Sequence, residues 1–366
     1  MAINIGIVGL PNVGKSTLFN ALSAAGAESA NFPFCTIEPN VGIVPVPDKR
    51  LAQLATLYSS EKTIPTNLEF VDIAGLVRGA SKGEGLGNKF LSHIRQVNAI
   101  THVVRCFEDD NIVHVDGSVD PVRDVEVIEL ELVLADLEAI TRRYDKTSKM
   151  ARSGDKNARV EIEILDQLKD HFEEGLPARS LSLSEAGVAL VKELCLLTAK
   201  PMIYVANVAE EDAGDPDAVP FVQNLKAYAA KQNAPMICIS ASIESELSQL
   251  PFEERDEYLE SMGLDEPGLN KIIREGYRIL GLITFLTAGP KEARAWTVRD
   301  GAMAPEAAGV IHSDFERGFI KAEVIQWDDL VALGSEAAAK QAGKLRIEGK
   351  EYPVKDGDTM HFRFNV

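Results

Sequence analysis

Gly9-Leu10-Pro11-Asn12-Val13-Gly14-Lys15-Ser16-Thr17 lies between an apolar run, residues 3–9, and a stretch of helical periodicity, residues 15–25. The order strand, G-x-x-x-x-G-K-[ST], helix is that of a loop whose backbone amides curl around phosphates while the helix N-terminus adds its positive end. Asn12, Val13, Gly14, Lys15, Ser16 and Thr17 are therefore candidate phosphate-binding residues. Lys15 is placed to reach β and γ phosphates as a catalytic cation, and the Ser16 hydroxyl to hold Mg²⁺.

Outward from this loop the same rhythm continues. Strand-like runs at 67–73 and 100–107 alternate with helical stretches at 15–25 and 87–97, the pattern of a parallel sheet with crossover helices, and so of an α/β fold. From 125 to 140 the period changes: Val125, Ile128, Leu132, Ala135 and Ile140 share one helical face, with Glu126, Glu129, Glu131, Asp136 and Glu138 around it. A second helix, 160–172, runs back after Ser153-Gly154-Asp155, predicting an inserted antiparallel helical hairpin. A helix at 183–197 and strands at 201–207 and 235–240 then return to the α/β pattern. Beyond Tyr277 short strands at 283–286, 293–297, 321–325 and 344–347 surround a helix at 304–311, and Met360, Phe362, Phe364 and Val366 alternate onto one face. The expected division is a discontinuous nucleotide domain of 1–124 and 200–277, a hairpin of 125–199, and a C-terminal β-grasp module of 278–366.

Composition narrows the class. The 366 residues are 45% hydrophobic and 26% charged, and no run approaches the ~20 apolar residues of a membrane span, so no membrane partner is expected. The amino terminus lacks a basic start followed by an apolar run, and a cytoplasmic location is expected. Cys35, Cys106, Cys195 and Cys238 show neither a C-x-x-C pair nor zinc-ligand spacing. The net charge of −18 argues against unaided wrapping of nucleic acid, so any such contact must be local.

Further motifs specify the chemistry. Asp72-Ile73-Ala74-Gly75 closes a strand, where the Asp72 carboxylate can hold a Mg²⁺-bound water and the Gly75 amide can meet a γ-phosphate. Thr36, in the Pro- and Phe-containing loop 31–40, stands where a switch threonine closes on the metal. Leu76 replaces the glutamine that orients the attacking water in Ras-like enzymes, which predicts slow basal turnover. His114 in the polar segment 108–121 is a candidate for placing that water; the alternative is an exposed loop histidine. For the base, the strand 202–206 runs into Asn207-Val208-Ala209-Glu210 where guanine-specific proteins carry Asn-Lys-x-Asp. A valine for the lysine and a carboxylate one methylene longer weaken the grip on guanine and favour adenine. Ser240-Ala241-Ser242 has the form of the loop that supports a base from the other side.

Taken together, GLPNVGKS, NFPFCT, DIAGL, NVAE and SAS, with the helical insertion and the C-terminal module, resemble the YchF/Obg-like ATPase subfamily of translation-factor-type P-loop NTPases. The resemblance spans essentially the whole chain. It implies a nucleotide domain, an inserted coiled coil and a C-terminal TGS domain, with ATP preferred over GTP and the ribosome as partner. It implies Mg²⁺ at Ser16 and Thr36, adenine recognition by the Asn207 side chain and the Val208 backbone, and a role for His114 in hydrolysis. Asn12 matches the P-loop asparagine of potassium-stimulated relatives, so K⁺ is an expected second ion.

The predicted hairpin tip, 141–159, carries Arg142, Arg143, Lys146, Lys149, Arg152, Lys156 and Arg159 against Asp145 and Asp155. Such a cluster is either a solvated helix end or a contact for ribosomal RNA, to which Tyr144 would add base stacking; the resemblance favours the RNA contact. Two rivals to a ribosome-associated ATPase follow from the same residues: a GTPase of the same fold, and an adaptor that holds ATP without turning it over.

Overall fold

The computed structural model describes residues 3–28, 40–73 and 86–365. The chain divides into two units, Met1–Val44 with Glu69–Ile272, and Pro45–Leu68 with Ile273–Val366.

The first unit opens with β1 (Asn4–Val8), the Gly9–Thr17 loop and α1 (Lys15–Glu28), followed by β2 (Val41–Pro45). Two elements of the second unit, α2 (Lys49–Tyr58) and β3 (Thr63–Ile64), precede β4 (Asn67–Asp72), α3 (Leu86–Gln96) and β5 (Ala99–Arg105). The hairpin helices α4 (Pro121–Arg152) and α5 (Lys156–Glu173) and the short α6 (Glu185–Glu193) come next. The unit ends with β6 (Met202–Asn207), α7 (Pro220–Lys231), β7 (Met236–Ile239), α8 (Ala241–Leu247), α9 (Phe252–Ser261) and the first turns of α10 (Gly268–Ile279). The sheet order is β2-β4-β1-β5-β6-β7, and β1/β4, β1/β5, β5/β6 and β6/β7 are all parallel. β5 and β6 are buried at every position, as expected of central parallel strands covered on both faces. Because β1 has β4 on one side and β5 on the other, their carboxyl ends part there, and ligands of open α/β sheets bind in such a crevice.

The hairpin is longer than its apolar pattern indicates. Asp120 caps α4 by accepting from Arg123 N, with Pro121 preset for the first turn. The helix continues through residues 141–152, and the reversal takes only residues 153–155, where Gly154 adopts φ +97° and Asp155 caps α5. The predicted tip cations therefore lie on helix rather than in a long loop. Val133, Ile140, Ile164, Leu165, Leu168 and Phe172 form the hairpin core.

The second unit continues with β8 (Leu282–Ala288), β9 (Ala293–Arg299), α11 (Ala304–Ile311), α12 (Ser313–Arg317) and β10 (Phe319–Gln326), then α13 (Trp327–Leu333), α14 (Glu336–Gln341), β11 (Arg346–Glu348) and β12 (Asp358–Phe364). Its sheet order is β11-β10-β12-β8-β9-β3. The central pair β8/β12 is parallel, flanked by the antiparallel β8/β9 and β10/β12 pairs. With α11 packed on Phe285, Val324 and Met360, this is β-grasp topology. The other face buries Leu51 and Leu54 of α2 with Leu286, Ala295, Ile325 and Leu330. Arg50 donates to Asp356 (2.6 Å) and to Asp48 (2.9 Å). Residues 45–68 thus belong with the C-terminal module, whereas the sequence division assigns them to the nucleotide domain.

Candidate functional site

Residues from the carboxyl ends of four strands meet around the Gly9–Thr17 loop. Asn12 and Gly14 have φ of +63° and +91°, which turn the loop over before α1 begins. A side chain at Gly14 would be strained at that φ, and its Cβ would meet the Asn207 Nδ2. At Gly9 a Cβ would come within 2.7 Å of the Val103 carbonyl oxygen. Lys15, at the start of α1, makes an ion pair with Asp72 at the end of β4. Ser16 follows Lys15 on α1 and is exposed. Ser16 and Asp72 are hard oxygen donors of the kind Mg²⁺ prefers. Thr36, Gly75 and Leu76 lie outside the described residues.

Asn207 is the clasp of the site. It ends β6, is 3% exposed, donates from Nδ2 to the Val13 carbonyl (2.9 Å) and accepts at Oδ1 from Ala241 N (2.9 Å). One amide thereby ties the phosphate loop to the Ser240-Ala241-Ser242 segment. The Val208 N–H is given to the Ile239 carbonyl (2.9 Å). Ser240 is buried and shares a hydrogen bond with Ser242 (3.0 Å), whereas Glu210 is exposed in a single 3₁₀ turn. A cavity of about 380 Å³ follows the β7 edge of the unit and is lined by Val208, Ser240, Cys238 and Lys271. Desolvation raises the Cys238 thiol to about 11, so it stays protonated there.

His114 is not exposed. It is 8% accessible; Nδ1 accepts from Asp116 N (3.1 Å), so Nε2 carries the proton and donates to Asp124 (2.8 Å). Both nitrogens are engaged, and Arg123 braces Asp124 from the other side (3.0 Å). The loop carrying His114 is held by a residue the motifs did not identify. Arg105, fully buried at the end of β5, donates to the carbonyls of Phe107 (3.0 Å), Asp109 (3.2 Å) and Ile112 (2.9 Å). The Asn12 Nδ2 then donates to Val113 O (3.0 Å), linking this loop to the phosphate loop. A lone arginine ending the apolar run Val103-Val104-Arg105 is the one sequence signal for that role.

Beneath the sheet, the base of the hairpin is anchored by polar groups. Glu129 of α4 accepts from Arg179 (2.5 Å), from Tyr228 (3.1 Å) and from Tyr204 of β6. Asp136 accepts from Leu197 N (2.8 Å) and from the Thr198 N (2.8 Å) and hydroxyl (2.7 Å). Burial holds the Asp136 carboxyl above the usual range even though those three donors oppose it. His102 of β5, wholly buried and facing the positive Arg179, is lowered to about 3 and is neutral. Glu129, Glu131 and Asp136, which lie around the apolar helical face in the sequence, are buried.

At the far end Lys146, Lys149, Arg152, Lys156 and Arg159 are exposed. Arg143 is committed to Glu161 (2.5 Å) and Glu193 (3.0 Å), and Arg142 to Glu138 (3.1 Å). Tyr144 packs on the hairpin core rather than presenting a free ring.

A phosphate loop clasped to a base-supporting loop, at the parting of β1 and its neighbours, defines a P-loop nucleotide-binding protein. A family model described as a 50S ribosome-binding GTPase matches residues 4–161. A second, for the YchF-GTPase C-terminal region and described as a protein of unknown function, matches residues 282–365. The ribosome-binding ATPase YchF of Bacillus subtilis is 59% identical over 366 residues, the full length of both chains, and that of Escherichia coli O157:H7 is 53% identical over the same length. The solved structure of the Schizosaccharomyces pombe YchF GTPase superposes with a TM-score of 0.89 at 38% identity, covering 99% of this chain and 97% of that one. The chain belongs to the YchF family. Among the described residues no helix is long and apolar enough to cross a membrane.

Proposed function

We propose that the chain is a cytoplasmic, ribosome-associated ATPase that prefers ATP to GTP and turns it over slowly. Asn207, fixed between Val13 and Ala241, supports nucleotide binding, and Val208 and the exposed Glu210 that follow it carry the preference for adenine. The full-length relatives named ribosome-binding ATPases support the reading. Lys15 would exchange Asp72 for the β and γ phosphates, and the amides of 12–17 would receive the remaining charge. Ser16, Thr36 and Asp72 would hold Mg²⁺, which supplies charge neutralisation at the transferring phosphoryl group. Asn12 leaves its Oδ1 as the donor for K⁺, and Gly75 would add an amide to the γ-phosphate. The Val208 carbonyl suits the exocyclic amine of adenine as an acceptor, while exposed Glu210 is poorly placed for a rigid guanine contact.

Slow turnover follows from Leu76 and from His114, whose two nitrogens are occupied. For His114 to orient water it must leave Asp124, so its role in hydrolysis depends on a rearrangement of residues 108–121. The same observation favours the second reading, an ATP-gated adaptor with negligible turnover. Isothermal titration with non-hydrolysable ATP and GTP analogues tests the base preference; equal or tighter GTP binding overturns it. Phosphate release with and without ribosomes separates ATPase from adaptor. The ATPase predicts stimulated release that His114→Ala abolishes, and the adaptor predicts neither.

A further inference from the structure

The second unit contains a crevice of about 370 Å³ that the nucleotide chemistry does not use. It opens between β8 and β12, which run parallel and pair at Leu286 and Thr359, with Gly357 N donating to Thr284 O (2.8 Å) just before. Past that register Thr287 and Ala288 of β8, and His361 and Phe362 of β12, line the opening. Its wall is aromatic: Trp296 on one side, whose ring already carries the Arg294 guanidinium 4.0 Å from its centroid, and Phe315 stacked on Phe364 with centroids 3.8 Å apart.

Two further observations say what such a wall accepts. Thr359 lines the crevice, is 8% exposed, and its Oγ1 has no hydrogen-bond partner among the described residues. A buried hydroxyl left unpaired is an uncompensated loss on folding, and a ligand donor or acceptor would recover it. The charged residues lining the crevice are Glu292, Glu323 and Glu336, with His361 the sole basic side chain. Glu323 is paired with Arg363 (3.2 Å) and Glu336 accepts from Tyr58 (2.8 Å), while the contact from Glu292 to Arg294 is a long 3.9 Å. An anion, a nucleic-acid backbone included, meets Glu336 and the loosely paired Glu292 here, Glu323 being neutralised by Arg363. A long cationic side chain meets the same carboxylates with its head and the aromatic rings with its stem.

We propose that this crevice binds a basic peptide segment, one extended stretch that inserts an arginine or lysine beside an apolar residue. The volume takes one or two side chains rather than a folded surface, which fits a flexible tail and not a globular partner. Orientation comes from the cation on Glu292 and Glu336 and from a polar group of the peptide on Thr359 Oγ1.

The test is isothermal titration of the full chain with the end-blocked hexapeptide Gly-Arg-Phe-Lys-Val-Gly, its Glu-for-Arg/Lys counterpart, and oligouridine. Saturable one-to-one binding of the basic peptide is expected, weakened about tenfold in Glu292→Gln/Glu336→Gln and about threefold in Thr359→Val. Affinity for the ATP analogue stays unchanged in all variants, and thermal unfolding of each verifies the fold. No saturable binding at millimolar peptide, equal binding of the acidic peptide, or undiminished binding by the variants overturns the proposal, the last because it marks non-specific attraction to an acidic chain. Binding of oligouridine that the basic peptide displaces also overturns it and makes the crevice an RNA site.

Discussion

The two ends of the helical hairpin carry charge in opposite ways. At the base, Glu129 and Asp136 are buried, Glu129 held by the half-buried Arg179 and by Tyr204 of β6 and Asp136 by residues 197–198. At the tip, Lys149, Arg152, Lys156 and Arg159 stand in solvent. A buried ion pair is weak evidence of net stability, but removing one partner leaves an uncompensated charge. Exposed cations contribute little to folding and remain available to a partner. The base is therefore built to fix the hairpin on the strand that ends in Asn207, and the tip to be read from outside.

The largest expected effect comes from breaking the base. Arg179→Ala leaves Glu129 buried with only two tyrosine hydroxyls, and should destabilise the protein by about 3–5 kcal/mol, measured by urea unfolding. A loss under about 1 kcal/mol would mean that water reaches Glu129, and would remove the distinction between base and tip.

A smaller effect is a dependence on pH. His102, at about 3 in the folded protein and near 6.5 when unfolded, binds more protons in the unfolded state between those values. Its contribution is fully present above about pH 6.5 and is lost as pH falls toward 3. Stability should drop by about 1 kcal/mol between about pH 7 and about pH 5.5, and His102→Gln should remove that part of the slope. Identical slopes in the two proteins would show His102 to be protonated or solvated in the folded state.

How much of this the sequence carries depends on how far apart the interacting residues lie. The Gly9–Thr17 loop is contiguous, and its chemistry is written in residue types at fixed spacing. Asn207 is legible as a base-loop residue from its place at the end of an apolar strand. That its amide reaches Val13 is not, since only the parallel pairing of β1, β5 and β6 brings them together. Glu129 and Asp136 appear on a helical wheel as solvent-facing acids, because periodicity separates polar from apolar but cannot say that the polar flank is itself covered. α2 fails for a related reason: its apolar Leu51 and Leu54 announce a buried face, but no local pattern says which of two sheets receives it.

The tip gives the smallest effect on folding and the sharpest on binding, provided the right cations are chosen. Reversing Arg142, Arg143 and Lys146 would confound the two, since Arg143 bridges Glu161 and Glu193 and a glutamate there would place like charges against both. Lys149, Arg152, Lys156 and Arg159 avoid this. Changing these four to Glu should leave unfolding within about 0.5 kcal/mol of the parent and ATP-analogue affinity untouched. Ribosome co-sedimentation should weaken, and the slope of log affinity against log salt should become shallower by about 1 for each cation that meets a phosphate. An unchanged slope with weaker binding would mean that these cations meet no phosphates, since each phosphate contact contributes counterion release to the slope. Unchanged binding would return the cluster to a solvated helix end.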